Sequence, residues 1–514
     1  MQSKAASAAF CIFAALQRYH LAHPPPKEKT DVNLRIFRRT AVTVLGALAL
    51  THCAQNPVTG DKDFVLMSEQ QEIQMGAQAH QDVLKEYAAL NNPALQAYVD
   101  EVGQRLAKQS HRPDLKWHFT VVDSPDVNAF ALPGGYVYIT RGIMAYLNSE
   151  AELAGVVGHE IGHVTARHGV RQQSTSTAAG LGAVLGSILV PGLGNQAGAT
   201  LLQTLAQSWT AGYGREHELE SDRLGAQYLA KAGYNPQAMI EVIGVLKNQE
   251  LFAAEQARRN GKKPGTYHGT FDTHPSNDAR LKQVVGEANK YTVANPREGR
   301  SAYLHKMTDV YFGDSPDQGM IRNNALLHDK LGLAIQFPTG WTVQNRPDRV
   351  TAVSPQGDAL VELQQRPNSD KPLETLQKGL KLDPGARYDS GNLGGYPAAF
   401  AAGVQQGKPV VAAVVVFNGA QYLIAGMARD KPVYDRERNT LRGTINSFHA
   451  ITPAEKLEAR PYVLKLVTVQ PGMTMAALAR QSPLGAAAEN QLRLMNDLYP
   501  RGEPAPGRLL KIVQ

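Results

Sequence analysis

The sequence predicts an α+β fold, with a mainly helical unit first, a small α+β unit behind it and a β-α-α-β unit at the end. Three observations carry this. Glu152 to Gly158 is a helix-compatible run, apolar on the side to be buried, that leads directly into His159 and His163;. Between residues 325 and 450, β-rich runs alternate with turn residues, and Asn418-Gly419 between two apolar runs is a strong hairpin signal;. The last sixty residues read in order as strand, Ala-rich helix, second helix and strand. With 514 residues and 43% hydrophobic content, the chain is long enough for two or three domains;.

Residues 1–53 read as a leader. Arg35, Arg38 and Arg39 precede the ten-residue apolar run Ala41 to Leu50, a positive segment followed by a core too short to span a bilayer;. Export to the periplasm is the expectation, with the first thirty residues an over-long start. Cys53 stands where a bacterial lipoprotein receives its lipid, which would anchor the chain to the outer membrane, although His52 holds a place that such processing reserves for a small residue. The leader carries seven Lys/Arg and two Asp/Glu, hence +5 of the total +7, and leaves about +2 for the rest. That balance, with no basic-aromatic stripe, argues against nucleic acid as a partner. Cys11 and Cys53 are the only cysteines, so stability after export rests on packing and a metal;.

The unit from 56 to 300 holds the chemistry. His159-Glu160-Ile161-Gly162-His163 puts two imidazoles one helical turn apart on one face, where both reach a single tetrahedral Zn²⁺;. Glu160, beside the first ligand, is placed to take a proton from an activated water and pass it to a leaving amine. A third ligand is needed. The extended pattern with glycine at 166 and histidine at 169 is excluded, since Ala166 and Gly169 stand there;. A glutamate from a later helix fits instead. Glu218 has Asp222 one turn on along the same face, placed to accept the second ring N–H of a ligand histidine. Glu216 and Glu220 are alternatives for that ligand, and His168, five residues past His163, reads as a bystander.

HExxH followed by GluxxxAsp, with Asn128-Ala129-Phe130-Ala131-Leu132-Pro133-Gly134-Gly135 ahead of it, resembles the gluzincin family of CaaX prenyl proteases, HtpX-type membrane proteases and BepA-type periplasmic proteases. The resemblance covers about residues 56 to 290. It implies one Zn²⁺ per chain on His159, His163 and Glu218, with Glu160 as catalytic base. It also implies a role for His274, in Thr273-His274-Pro275, as a fourth ligand or regulator over the metal. The function implied is a zinc endopeptidase acting on unfolded or misassembled envelope proteins. The alternative is a chaperone-like envelope assembly or binding factor with a latent metal site.

Tyr136-Val137-Tyr138-Ile139 follows a Pro-Gly-Gly turn and reads as a strand along the cleft, with Tyr136, Val137 and Tyr138 pairing with an extended substrate;. The Ala/Gly/Leu-rich stretch from Ser174 to Thr210 has an uninterrupted apolar run of about 13 residues, too short to span a bilayer, and reads as a helical hairpin beside the site;. Residues 301–324, with Gly313, Asp314, Pro316, Asp317 and Gly319, read as a linker;. The 325–450 unit is expected to pack a helix, about Leu373 to Leu382, on an antiparallel sheet, with a scaffolding or partner-binding role. Residues 460–514 resemble a degenerate LysM module, which implies peptidoglycan as ligand; Met473 stands where that module usually has aspartate.

Overall fold

The computed structural model describes residues 53–60, 62–65, 67–175, 214–259 and 277–514. Residues 1–52, the 176–210 part of the Ala/Gly/Leu-rich stretch, His274 and the side chain of Cys53 lie outside the described residues.

A short hairpin of β1 (Cys53–Gln55) and β2 (Lys62–Phe64) comes first among the described residues. Helix α1 (Glu69–Glu86) starts on a capping box: Ser68 Oγ accepts from Gln71 N, and the Gln71 side chain accepts from Ser68 N;. Helix α2 (Pro93–Ala107) has Asn92 as its cap and proline in its first turn;. Strands β3 (His118–Val122), β4 (Ala129–Leu132) and β5 (Tyr136–Thr140) form a sheet in the order β3-β5-β4, with β5 parallel to β3 and antiparallel to β4. The β4–β5 turn needs glycine, since Gly134 and Gly135 have φ of 82° and 94°;. Gly76 lets α1 lie directly on this turn, because a Cβ there would fall 1.9 Å from Pro133 O.

Short α3 (Arg141–Tyr146) leads into α4 (Glu150–Thr165), capped by Ser149;. Helices α5 (Arg215–Lys231), α6 (Ala238–Arg259) and α7 (Asn277–Ala288) complete the helical layer. Glycines set the distance between α4 and α5. A Cβ on Gly158 would meet Leu229 Cδ1 at 2.9 Å, one on Gly162 would meet Ser221 Cα at 3.0 Å, and one on Gly225 would meet His159 N at 3.2 Å.

The expected linker is built into the fold. It contains α8 (Arg300–Lys306), β6 (Tyr311–Phe312) and β7 (Met320–Arg322), anchored by buried Tyr303, Leu304 and Met307. Its Gly, Asp and Pro residues belong to the turns between these elements. Next come β8 (Ala325–His328), β9 (Leu333–Gln336), β10 (Thr342–Arg346), β11 (Arg349–Val353), β12 (Ala359–Arg366), α9 (Pro372–Leu380), β13 (Arg387–Leu393), β14 (Tyr396–Gln405), β15 (Lys408–Phe417), β16 (Ala420–Ala428), α10 (Lys431–Asn446) and β17 (His449–Ala450). The main sheet has seven strands in the order β10-β11-β12-β16-β15-β14-β13, all antiparallel. The smaller sheet runs β17-β9-β8-β7. Alternation along β15 feeds two cores: Val411, Ala413 and Val415 face Leu441 and Ile445 of α10, while Val410, Ala412 and Val414 face Leu376 and Leu380 of α9;. Asn418 and Gly419 join β15 to β16 with φ of 48° and 76°;.

Helix α11 (Pro453–Glu458) precedes β18 (Tyr462–Thr468), α12 (Met475–Arg480), α13 (Ala488–Met495) and β19 (Leu509–Val513), which keep the expected β-α-α-β order. This unit has no core of its own. Leu464, Leu492, Met495 and Leu510 belong to the same apolar cluster as Leu153 and Val157 of α4 and Ile243 of α6, and β18 pairs with β6 as well as β19. No described helix is long and apolar enough to cross a membrane.

Candidate metal centre

Helix α4 carries His159 and His163 on one face, and their Nε2 atoms lie 3.0 Å apart. Glu218, near the start of α5, completes the group. Its Oε2 is 3.5 Å from His159 Nε2 and its Oε1 is 3.4 Å from His163 Nε2. Tetrahedral bonds of about 2.0–2.1 Å imply ligand-to-ligand edges of about 3.3–3.4 Å, so the two imidazole nitrogens and the Glu218 carboxylate are spaced for a zinc-sized ion;. All three side chains are buried, and among the described residues this is the one His/Cys/Asp/Glu group of metal-holding geometry.

The surroundings orient this group. Asp222 Oδ1 lies 2.8 Å from His159 Nδ1, which leaves Nε2 facing the other ligands;. Arg280, at the start of α7, grips Asp222 with both arms: Nε donates to Oδ2 at 2.9 Å and Nη2 to Oδ1 at 2.8 Å;. Its Nη1 lies 3.1 Å from Glu218 Oε2. Sequence reasoning gives Arg280 no role, since nothing local reveals that α7 crosses α5 there. Burial opposes charge on His159, but Asp222 and Glu218 outweigh it and raise its pKa to about 9;. Burial drives His163 well below the usual histidine value, despite Glu218. Burial would raise the Asp222 pKa, yet Arg280 and His159 hold it below the usual range.

Glu160 is buried beside the first ligand. The other acidic residues of α5 point elsewhere: Glu216 is exposed, and Glu220 turns to His168 and Arg171, at 3.0 and 3.2 Å. His168 is no bystander. It is fully buried, with Nδ1 2.9 Å from Nδ1 of His163.

Residues 93–288 match the model of Peptidase family M48. This unit belongs to that family. The beta-barrel assembly-enhancing protease of Escherichia coli (strain K12) is 30% identical over 338 residues, covering 64% of this chain and 63% of that protein. The beta-barrel assembly-enhancing protease of Yersinia pestis is 34% identical over 241 residues, 46% of this chain and 47% of that protein. The mitochondrial metalloendopeptidase OMA1 of Arabidopsis thaliana is 33% identical over 208 residues, 40% of this chain and 38% of that protein. The chain thus spans less than two thirds of the length of each of these relatives. The His-His-Glu cluster lies within the residues that match this family.

The strand expected to pair with substrate is the central one of the M48 sheet. Both edges of β5 are taken, by β3 and β4, and Val137 and Tyr138 are fully buried. Tyr136 stacks on His118, with centroids 4.6 Å apart. Tyr136, Val137 and Tyr138 therefore offer no backbone edge. Their apolar run reads the same in a central strand as in an edge strand, so sequence could not separate the two. Among the described residues β3 and β4 are the outer strands of this sheet, and Ala131 and Leu132 of β4 line a crevice of about 10 Å³ together with His163.

A buried charge network holds the other end of α4. Glu72 of α1 accepts from Arg112 Nη1 at 2.6 Å and from Arg167 Nε at 2.8 Å, while Arg112 Nη1 lies 3.2 Å from Val164 O. One carboxylate thereby joins α1, the end of α4 and, at 3.4 Å, the amide of Gly134 in the β4–β5 turn.

Proposed function

We propose that the chain is a zinc endopeptidase of the bacterial cell envelope that hydrolyses unfolded or misassembled proteins. One observation carries the reading: His159, His163 and Glu218 converge with tetrahedral spacing, and Glu160 follows the first of them on the same helix. Zinc held there supplies a Lewis acid that polarises the scissile carbonyl and makes water a nucleophile near neutral pH. Glu160 takes the proton of the attacking water and gives it to the leaving amine nitrogen. Asp222 keeps the His159 lone pair turned inward. An extended substrate segment adds to the outer edge of β4, which favours flexible chains over compact domains. His274 is the candidate fourth ligand or regulator.

The leader-like pattern from Arg35 to Leu50 supports export to the periplasm, and Cys53 is the candidate lipid attachment point;. The second reading, a chaperone-like assembly factor with a latent site, is favoured by the small crevice of about 10 Å³ beside His163. The test is zinc content by elemental analysis, with casein cleavage, for the purified chain and for Glu218→Ala and Glu160→Gln. The endopeptidase reading expects about one zinc per chain, lost in Glu218→Ala and kept in Glu160→Gln, with cleavage lost in both. Zinc without cleavage by the unaltered chain favours the latent site. Absence of zinc from the unaltered chain sinks both.

A further inference from the structure

Five residues past His163 on a continuous helix, a side chain would point away from the metal ligands. The backbone breaks that geometry. Helix α4 ends at Thr165, Arg167 takes φ of 56°, and helical structure restarts over residues 168–175. This left-handed step turns His168 inward, where it is fully buried;. Its two ring nitrogens then meet defined partners. Nδ1 lies 2.9 Å from Nδ1 of His163, with Ser221 Oγ at 3.4 Å, and Nε2 lies 3.0 Å from Oε2 of Glu220. Its ring stacks on His217 at 4.2 Å between centroids. Glu220 is itself held by Arg171, whose Nη1 is 3.2 Å away.

The proton assignments follow in one direction. His163 Nε2 faces His159 and Glu218, and a nitrogen that ligates a metal must present its lone pair;. The ring proton of His163 is therefore on Nδ1, which donates to Nδ1 of His168. That acceptor role puts the His168 proton on Nε2, where the Glu220 carboxylate accepts it. This one arrangement gives each ring nitrogen of His168 a hydrogen-bond partner. The two ligand histidines are thus oriented differently: His159 directly by a carboxylate, His163 by a carboxylate acting through an intervening imidazole.

We propose that His168 is a positioning residue, which fixes the tautomer and ring orientation of His163 and is itself anchored by Glu220. The inference rests on the reading that His159, His163 and Glu218 bind zinc. It assigns a role to Glu220, an α5 carboxylate that is neither ligand nor partner of Arg280 and reaches the site only through His168.

The test measures zinc affinity by competition with a chromophoric chelator, together with the visible absorption of the Co²⁺-substituted chain. Variants are His168→Phe, which fills the space without hydrogen bonds, and His168→Gln, whose amide can both accept from His163 and donate to Glu220. The expected result is a loss of about 10–100-fold in zinc affinity and an altered Co²⁺ spectrum for His168→Phe, with both largely restored in His168→Gln. Thermal melting of the metal-free chains checks that each variant folds. If His168→Phe fails to fold, Glu220→Gln replaces it as the deciding variant, with a smaller loss of affinity expected. Wild-type affinity and spectrum in the deciding variant would overturn the inference, leaving His168 a packed core histidine. Failure of the unaltered chain to bind zinc would instead overturn the metal reading beneath it.

Discussion

The Lys511 ammonium, on the last strand of the chain, donates to the carbonyl oxygen of Ala145 at 2.7 Å and also to that of Leu147. These two carbonyls belong to the turn that delivers the chain into α4, the helix with both candidate ligand histidines. Lys511 is fully buried there. A strand from the far end of the sequence therefore fixes the entry of α4, and the apolar cluster around it is shared between the two units.

Removing residues 460–514 should unfold the M48 unit, not merely detach a module. The cut exposes the faces of α3 and α6 that pack against α13 and removes the donor to the Ala145 and Leu147 carbonyls;. Near-UV circular dichroism and melting of the truncated chain read the outcome. An unchanged melting transition would show that the two units are independent.

Glu152, in the first turn of α4, reports on the same junction through pH. Burial raises its pKa, against the hydrogen bond from Asn148 N and the charge of Lys511, whose own pKa burial lowers in turn;. A carboxyl whose folded pKa is raised stays protonated in the folded state while the unfolded chain releases its proton, so stability falls as pH rises from the ordinary value of about 4.5 to the raised one;. Glu152→Gln keeps an oxygen to accept from Asn148 and removes the ionisation. Its stability relative to the unaltered chain should climb through that window and level off above it. Melts at intervals between pH 4 and pH 9 would show this, and a difference independent of pH would refute it.

Arg280 compensates two buried carboxylates at once, Asp222 with two bonds and Glu218 with a third contact. Arg280→Met takes the guanidinium from both and leaves Asp222 its contact with His159. About 3–5 kcal/mol of stability should go, and zinc affinity should fall by about 10–100-fold as Asp222 loses its grip on His159. Arg280→Lys should recover little, because an ammonium cannot span both carboxylate oxygens. Chelator competition and chemical denaturation separate the two effects. Full recovery in the lysine variant would mean that charge alone matters at this position.

The parts of the site legible in the sequence are those that a helix repeats locally. His159 and His163 lie one turn apart, as do Glu218 and Asp222, and the structure brings both pairs to one point. What escaped depends on how elements cross. Arg280 reaches Asp222 from α7, Glu72 reaches Arg167 from α1, and His168 turns inward only because Arg167 takes a left-handed conformation. The β-rich run at Tyr136 was readable as a strand, yet its place between two neighbours was not, since strand order is a property of the sheet;. The linker reading failed for a similar reason. Its turn residues are real, but Tyr303, Leu304 and Met307 bury against partners distant in sequence.

The glycines of α4 should control the metal site through helix spacing. A Cβ on Gly162 would stand 3.0 Å from Ser221 Cα and 3.1 Å from Ser221 O, both backbone atoms that cannot rotate away. Gly162→Ala must push α5 outward by a few tenths of an ångström, and Glu218, three residues before Ser221, moves with it. The cost should be about 1–3 kcal/mol of stability, with weaker zinc binding alongside. Gly244→Ala in α6 is the control, since nothing lies within 4 Å of its added methyl and alanine is the better helix former by up to about 1 kcal/mol;. That variant should melt at or above the unaltered chain and bind zinc normally. Should Gly162→Ala match it in both melting and zinc competition, close contact between α4 and α5 is not what spaces His163 from Glu218.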